Sequence, residues 1–196
     1  EADHGFPVSP LVTDKLVICR DKEGQVVACH RDNGALAWEI TLPSSTPVTP
    51  VELNSERLVV GANPLYCVDR EGEEVWSKPL PGRSLLSVDN TLLVSTHEGP
   101  LVCLSDDGNT IWQTEAPGYQ APAVADGHVW VGHEQGSLRR LSVRTGELLS
   151  EWTAPTGPRG QKIISDWGPP VVRGDKLFVV SPHSQILHCL SLRPES

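Results

Sequence analysis

His97, His133 and His183 stand in polar turns, as Thr96-His97-Glu98-Gly99, Gly132-His133-Glu134-Gln135-Gly136 and Pro182-His183-Ser184-Gln185. A neutral imidazole is a good zinc or copper ligand, and it titrates near neutral pH. Turns that recur along a repeat lie on one face, so these three rings and two nearby carboxylates form a candidate same-face site. Against that stands a plainer role as polar turn residues, because the expected spacing exceeds the reach of one metal ion. The longest connection in the chain, residues 153–168, supplies the other candidate. It offers Arg159, Lys162, Asp166 and Trp167, residue types that dominate protein-contact hot spots, on a loop held by flanking strands. Five dispersed cysteines, Cys19, Cys29, Cys67, Cys103 and Cys189, have no CxxC spacing. They read as small buried hydrophobes rather than as a ligand set or a disulfide framework. There is no GxSxG, HExxH, P-loop or GxGxxG after a strand. The acidic pairs Glu73-Glu74 and Asp106-Asp107 fall in turns and read as solvated. No catalytic, cofactor or metal residue is assigned.

Composition narrows the partners. The chain has 196 residues, 38% of them apolar, with 17 glycines and a net charge of −9. That is globular composition, and the acidic balance without a basic block argues against nucleic acid and anionic membrane surfaces. Uncharged apolar runs reach only four or five residues, as in Leu177-Phe178-Val179-Val180, so no transmembrane helix is expected. The absence of methionine suggests a mature or excised piece of a longer product. Unpaired cysteine usage favours a reducing compartment, the cytoplasm, with the periplasm as the alternative.

The elements that must position these residues come from a repeat. Trp38, Trp76 and Trp112 recur at intervals of 38 and 36 residues, each four residues after a glycine: Gly34, Gly72 and Gly108. Gly146 continues the series, with its tryptophan displaced to Trp152. Before each glycine lie short strands rich in Val and Leu, separated by Gly, Asp, Asn and Pro turns. That pattern predicts four strands per unit of about 40 residues and no long helix. Such units stack as blades about an axis, each burying the face of its neighbour, with the tryptophans as plates between them.

The stretches from Ala28 to Trp38, Val68 to Trp76, Leu104 to Trp112 and Leu138 to Gly146 resemble the repeat of pyrroloquinoline-quinone-like (PQQ-like) β-propellers. The resemblance covers nearly the whole chain and implies an all-β propeller of four-stranded antiparallel blades. About five repeats are expected in one domain (residues 8–44, 45–82, 83–118, 119–157 and 158–196), the last without its fourth strand. Propellers of the family usually have seven or eight blades. Its quinone-dependent dehydrogenases carry a vicinal cysteine pair, a calcium site and a catalytic aspartate in longer chains; no Cys-Cys occurs here. The resemblance therefore points to the non-catalytic branch, without cofactor. That branch includes a periplasmic lipoprotein that scaffolds outer-membrane β-barrel assembly, and sensor propellers on larger chains. The expected function is a protein-binding or assembly scaffold, one module of a larger protein or complex. The alternative is a small-molecule or cofactor-binding propeller that uses the axial funnel.

Overall fold

The computed structural model describes residues 8–43, 48–96, 99–114, 121–133, 137–153, 169–181 and 186–192. Every regular element among them is a β-strand. The first sheet is β1 (Leu11–Val12), β2 (Leu16–Arg20), β3 (Gln25–His30) and β4 (Leu36–Thr41), hydrogen-bonded in chain order. The second repeats it with β5 (Val51–Glu52), β6 (Leu58–Ala62), β7 (Leu65–Val68) and β8 (Glu74–Lys78). The third contains β9 (Gly82–Val88), β10 (Thr91–Thr96), β11 (Leu101–Leu104) and β12 (Thr110–Gln113). The fourth contains β13 (Ala123–Ala125), β14 (His128–His133), β15 (Ser137–Ser142) and β16 (Leu148–Thr153). The fifth has three strands among the described residues: β17 (Val171–Arg173), β18 (Lys176–Ser181) and β19 (Ile186–Ser191). These meandering four-stranded antiparallel sheets are propeller blades, as the repeat predicts.

Side-chain chemistry closes the turns. The Thr13 hydroxyl accepts the Leu16 amide at 2.9 Å and so holds the β1–β2 turn. Asp21 Oδ1 accepts the amides of Glu23 and Gln25, both at 2.8 Å, to close the β2–β3 turn. Asp69 does the same for Glu71 and Glu73 at 2.9 Å between β7 and β8. Short acceptors that bond their own backbone two to four residues on are what specify such turns.

A bulge recurs where the third strand of a blade meets the fourth. The register shifts between Ala28 and Cys29, between Cys67 and Val68, and between Arg140 and Leu141. In the first two blades the residue before the shift faces the tryptophan: Ala28 opposite Trp38, and Cys67 opposite Trp76. In the fourth blade Ser150 takes that place opposite Arg140, and Trp152 pairs with Leu138 two residues further along. A displacement of two keeps the ring on the same face of the sheet.

The chain divides into two compact units, Glu1–Val94 with Leu104–Thr110, and Ser95–Cys103 with Ile111–Ser196. In the first, Leu16, Ile18, Val26, Ala28 and Trp38 of the first blade pack on Leu58, Val60 and Val68 of the second, all buried. In the second, Leu138 packs with Leu177 and Val179, with Trp130 and Trp152 beside them. The first strands of successive blades touch as β5 with β9 and as β13 with β17. Within each unit, successive blades thus meet at their first strands.

Candidate functional site

Each tryptophan of the repeat is a joint between blades. The Trp38 indole N–H donates to the Arg70 carbonyl at 2.8 Å, Trp76 to Asp106 at 2.8 Å, and Trp112 to Val143 at 3.0 Å. Each acceptor lies in the turn before the outer strand of the next blade. Each ring also lies over that turn's glycine, where φ is positive: +88° at Gly72, +76° at Gly108 and +71° at Gly146. A Cβ on Gly72 or Gly108 would come within 2.8 Å of the Trp38 or Trp76 ring. Glycine is needed twice over here, for the left-handed backbone and for the close approach of an indole.

Around these joints the turns carry ion pairs that sequence reading missed. Arg57, in the β5–β6 turn, donates to the Asp106 carbonyl at 2.6 Å and to Asp107 Oδ1 at 2.8 Å. The Asp106-Asp107 pair is therefore a bridge between neighbouring blades rather than a free solvated turn. Arg70 pairs with Glu52 and donates to the carbonyls of Ser55 and Asn54 at 2.8 and 3.0 Å. The signal in the sequence is faint, because the partners of Arg57 lie 49 and 50 positions away. A pocket of ≈ 460 Å³ lies among these turns, with Asp14, Lys15, His30, Glu52, Arg70 and Glu71 on its wall.

The structure separates the histidine candidates. His133 is the last residue of β14 and is 2% exposed, inside the blade rather than in the following turn. Opposite it in register stands Ser137, whose hydroxyl donates to Glu151 Oε1; Arg139 Nε donates to the same oxygen at 2.9 Å. These bonds, Ser137 first and Arg139 second, hold the Glu151 carboxyl below the ordinary carboxylate range. The folded state then releases this proton at lower pH than the unfolded chain does. Its stabilisation is present above the unfolded carboxylate range and is lost as pH falls through the folded value. Glu151→Gln is accordingly expected to lower Tm at neutral pH, and the gap from the parent protein to narrow as pH falls below the ordinary carboxylate range. Thermal melts across that range check it; a gap that stays constant with pH would contradict it.

His97, His183, Arg159, Lys162, Asp166 and Trp167 lie outside the described residues. Among the described residues, no group of three or more His, Cys, Asp or Glu side chains is arranged to hold a metal ion. No described helix is long and apolar enough to cross a membrane. Cys67 and Cys103 are buried, and burial is the main cause that pushes the Cys67 thiol up to about 12. Cys189, expected at the same buried repeat position, is exposed instead. It pairs with Phe178 on a face that no further sheet covers among the described residues.

The sequence profile of the family described as outer membrane protein assembly factor BamB matches residues 61–193. An outer membrane protein assembly factor BamB of Legionella pneumophila (strain Paris) is 28% identical over 174 residues, covering 76% of this chain and 45% of the relative. The same-named protein of Alkalilimnicola ehrlichii is 28% identical over 200 residues, covering 91% and 49%. The chain thus spans about half the length of the curated relatives it matches. Among solved structures, the designed protein Ika8 superposes with a TM-score of 0.74 at 16% identity, covering 93% of this chain and 57% of that one. BamB from Moraxella catarrhalis gives 0.56 at 15%, covering 97% and 74%. A quinohemoprotein alcohol dehydrogenase from Pseudomonas putida gives 0.67 at 12%, covering 99% and 43%. At these identities the structures show the fold alone, which serves enzymes and assembly factors alike. The cytoplasm, expected from cysteine usage, finds no support in relatives named for the outer membrane. Cys67 and Cys103 are free and buried, and a buried thiol that serves as a small hydrophobe says little about the compartment. With indole-on-glycine joints between its blades and a profile match over residues 61–193, the chain belongs to the family described as outer membrane protein assembly factor BamB.

Proposed function

We propose that this chain is a non-catalytic, protein-binding module that takes part in outer-membrane protein assembly from the periplasmic side. The observation that carries this reading is the family match over residues 61–193. What supports it within each unit is that indole joints tie neighbouring blades together, and a preordered scaffold displays contact loops at low entropic cost. The contact surface we assign is the loop bearing Arg159, Lys162, Asp166 and Trp167. Its two cations suit acidic or carbonyl-rich strands of a protein partner.

Photo-crosslinking from positions 159 and 162 in a Gram-negative envelope tests the reading. Crosslinks to the outer-membrane β-barrel assembly machinery are expected. The double substitution Arg159→Ala and Lys162→Ala should weaken capture of that machinery about tenfold. Tm should stay put, which separates loss of contact from loss of fold. Unchanged capture by the double variant, or crosslinks only to unrelated proteins, would overturn this assignment.

A further inference from the structure

We propose that Asp126 is a site of spontaneous covalent modification, at which the folded chain isomerises to isoaspartate through a cyclic imide closed by the Gly127 amide. Three dipeptides in the sequence have the composition for this chemistry: Asn33-Gly34, Asp107-Gly108 and Asp126-Gly127. Glycine as the second residue leaves the attacking nitrogen unhindered. Composition does not choose among the three. Their hydrogen bonds do.

In two of them both reacting groups are held. Gly34 N donates to His30 O at 2.8 Å, and the Asn33 side-chain oxygen accepts the Ala35 amide at 2.9 Å. Gly108 N donates to Ser105 O at 3.0 Å, and Asp107 Oδ1 accepts Arg57 at 2.8 Å. The Trp76 ring also covers Gly108, which leaves the peptide before it little room to turn. The third dipeptide is loose. Asp126 and Gly127 form the exposed turn between β13 and β14. Among the described residues, the Asp126 carboxyl and the Gly127 N–H have no hydrogen-bond partner.

The backbone is set for ring closure as well. The peptide between the two residues must rotate until its nitrogen meets the side-chain carbon. Asp126 and Gly127 have φ of +50° and +72°, the signs of a type I′ turn. Rotating their shared peptide leads toward type II′, which keeps positive φ at the first central residue, and glycine accepts the new φ at the second. A Cβ built on Gly127 meets nothing within 4 Å, so the space for the rotation is free.

The Gly127 nitrogen attacks the Asp126 Cγ: an N–C bond forms, a C–O bond breaks, and the amide proton leaves with the hydroxyl as water. A second water then opens the imide. Attack at the side-chain carbonyl restores aspartate. Attack at the main-chain carbonyl leaves the chain running through Cβ and Cγ, with a free α-carboxylate. The product adds one carbon to the main chain of a turn that supports a blade joint. Gly127 O accepts the Val143 amide at 3.2 Å, and Val143 O accepts the Trp112 indole N–H at 3.0 Å. Isoaspartate moves Gly127 O away from Val143 and slackens the Trp112 joint.

To test this, the whole chain is aged in warm neutral buffer made with heavy-oxygen water, digested, and mapped by mass spectrometry with fragmentation that distinguishes isoaspartate. Heavy oxygen should enter at Asp126 several-fold faster than at Asn33 or Asp107. In urea, where all the turns are open, the three should react alike in kind. Asp126→Glu, whose longer side chain would have to close a larger ring, should lose the signal at that position and leave Asn33 and Asp107 as they are in the parent. The modified fraction, separated by chromatography, should melt below the unmodified one. Label entering Asn33 or Asp107 of the folded chain as fast as Asp126 would overturn the assignment, as would an Asp126 that reacts only in urea or not at all. Equal melting of the two fractions would overturn the link to the Trp112 joint.

Discussion

Trp38→Ala is expected to destabilise the protein by about 3–5 kcal/mol, the range for removing a large buried aromatic ring. The ring is buried between the first two blades and packs with Ile18, Ala28, Leu58 and Val68. It also closes a polar bond, since its N–H satisfies the Arg70 carbonyl at 2.8 Å. Truncation leaves a cavity that strands cannot collapse into, because β4 is held in register by β3. Trp38→Phe separates the two contributions. It keeps most of the apolar contact and loses the hydrogen bond, at a cost of about 1–2 kcal/mol. Urea unfolding of the three proteins reads both numbers directly. A loss below about 1.5 kcal/mol for Trp38→Ala would mean that the indole is ornamental and that the blades are joined by other contacts.

Gly72→Ala should cost about 2–4 kcal/mol, whereas Gly34→Ala should cost only about 1–2 kcal/mol. Both glycines have positive φ, and an L side chain there costs about 1–2 kcal/mol. At Gly72 the new methyl would also stand 2.8 Å from the Trp38 ring, and forcing such overpacking adds about 1–3 kcal/mol. Gly34 lacks the second term because nothing lies within 4 Å. A double-mutant cycle sharpens the point: in a Trp38→Ala background, Gly72→Ala should fall back to the cost seen at Gly34. Contacting pairs show coupling of about 0.5–3 kcal/mol, and distant ones add within about 0.5 kcal/mol. Additive effects of Trp38→Ala and Gly72→Ala would refute the seat geometry.

Much of the architecture is legible in the residues alone. Gly-x-x-x-Trp at Gly34, Gly72 and Gly108 announces a turn with a left-handed residue followed by an outer strand. Val- and Leu-rich strands of four to six residues between Asp, Asn and Gly announce the hairpins. These signals are local: they depend on φ preference, turn chemistry and the two-residue period of a strand, and each is complete within about ten residues. The contact role proposed for the loop from Arg159 to Trp167 rests on length and composition alone, and its residues lie outside the described ones.

What one blade does to the next could only be decided by stacking. His133 sits in a sequence that reads as a polar turn, but one residue of register places it at the end of β14, inside the blade. Asp106 and Asp107 read as solvent-facing until the second blade brings Arg57 to 2.8 Å. Cys67 and Cys189 share a repeat position, yet one is buried and the other exposed, because a following sheet covers the first and none among the described residues covers the second. Local propensity decides that a strand forms and which residues share a face. Whether that face is core or surface depends on a neighbour some 40 residues away, which no local pattern encodes. The sequence by itself therefore determined the blades, their turns and the indole plates; only the tertiary structure decided which of their faces are closed against a neighbour.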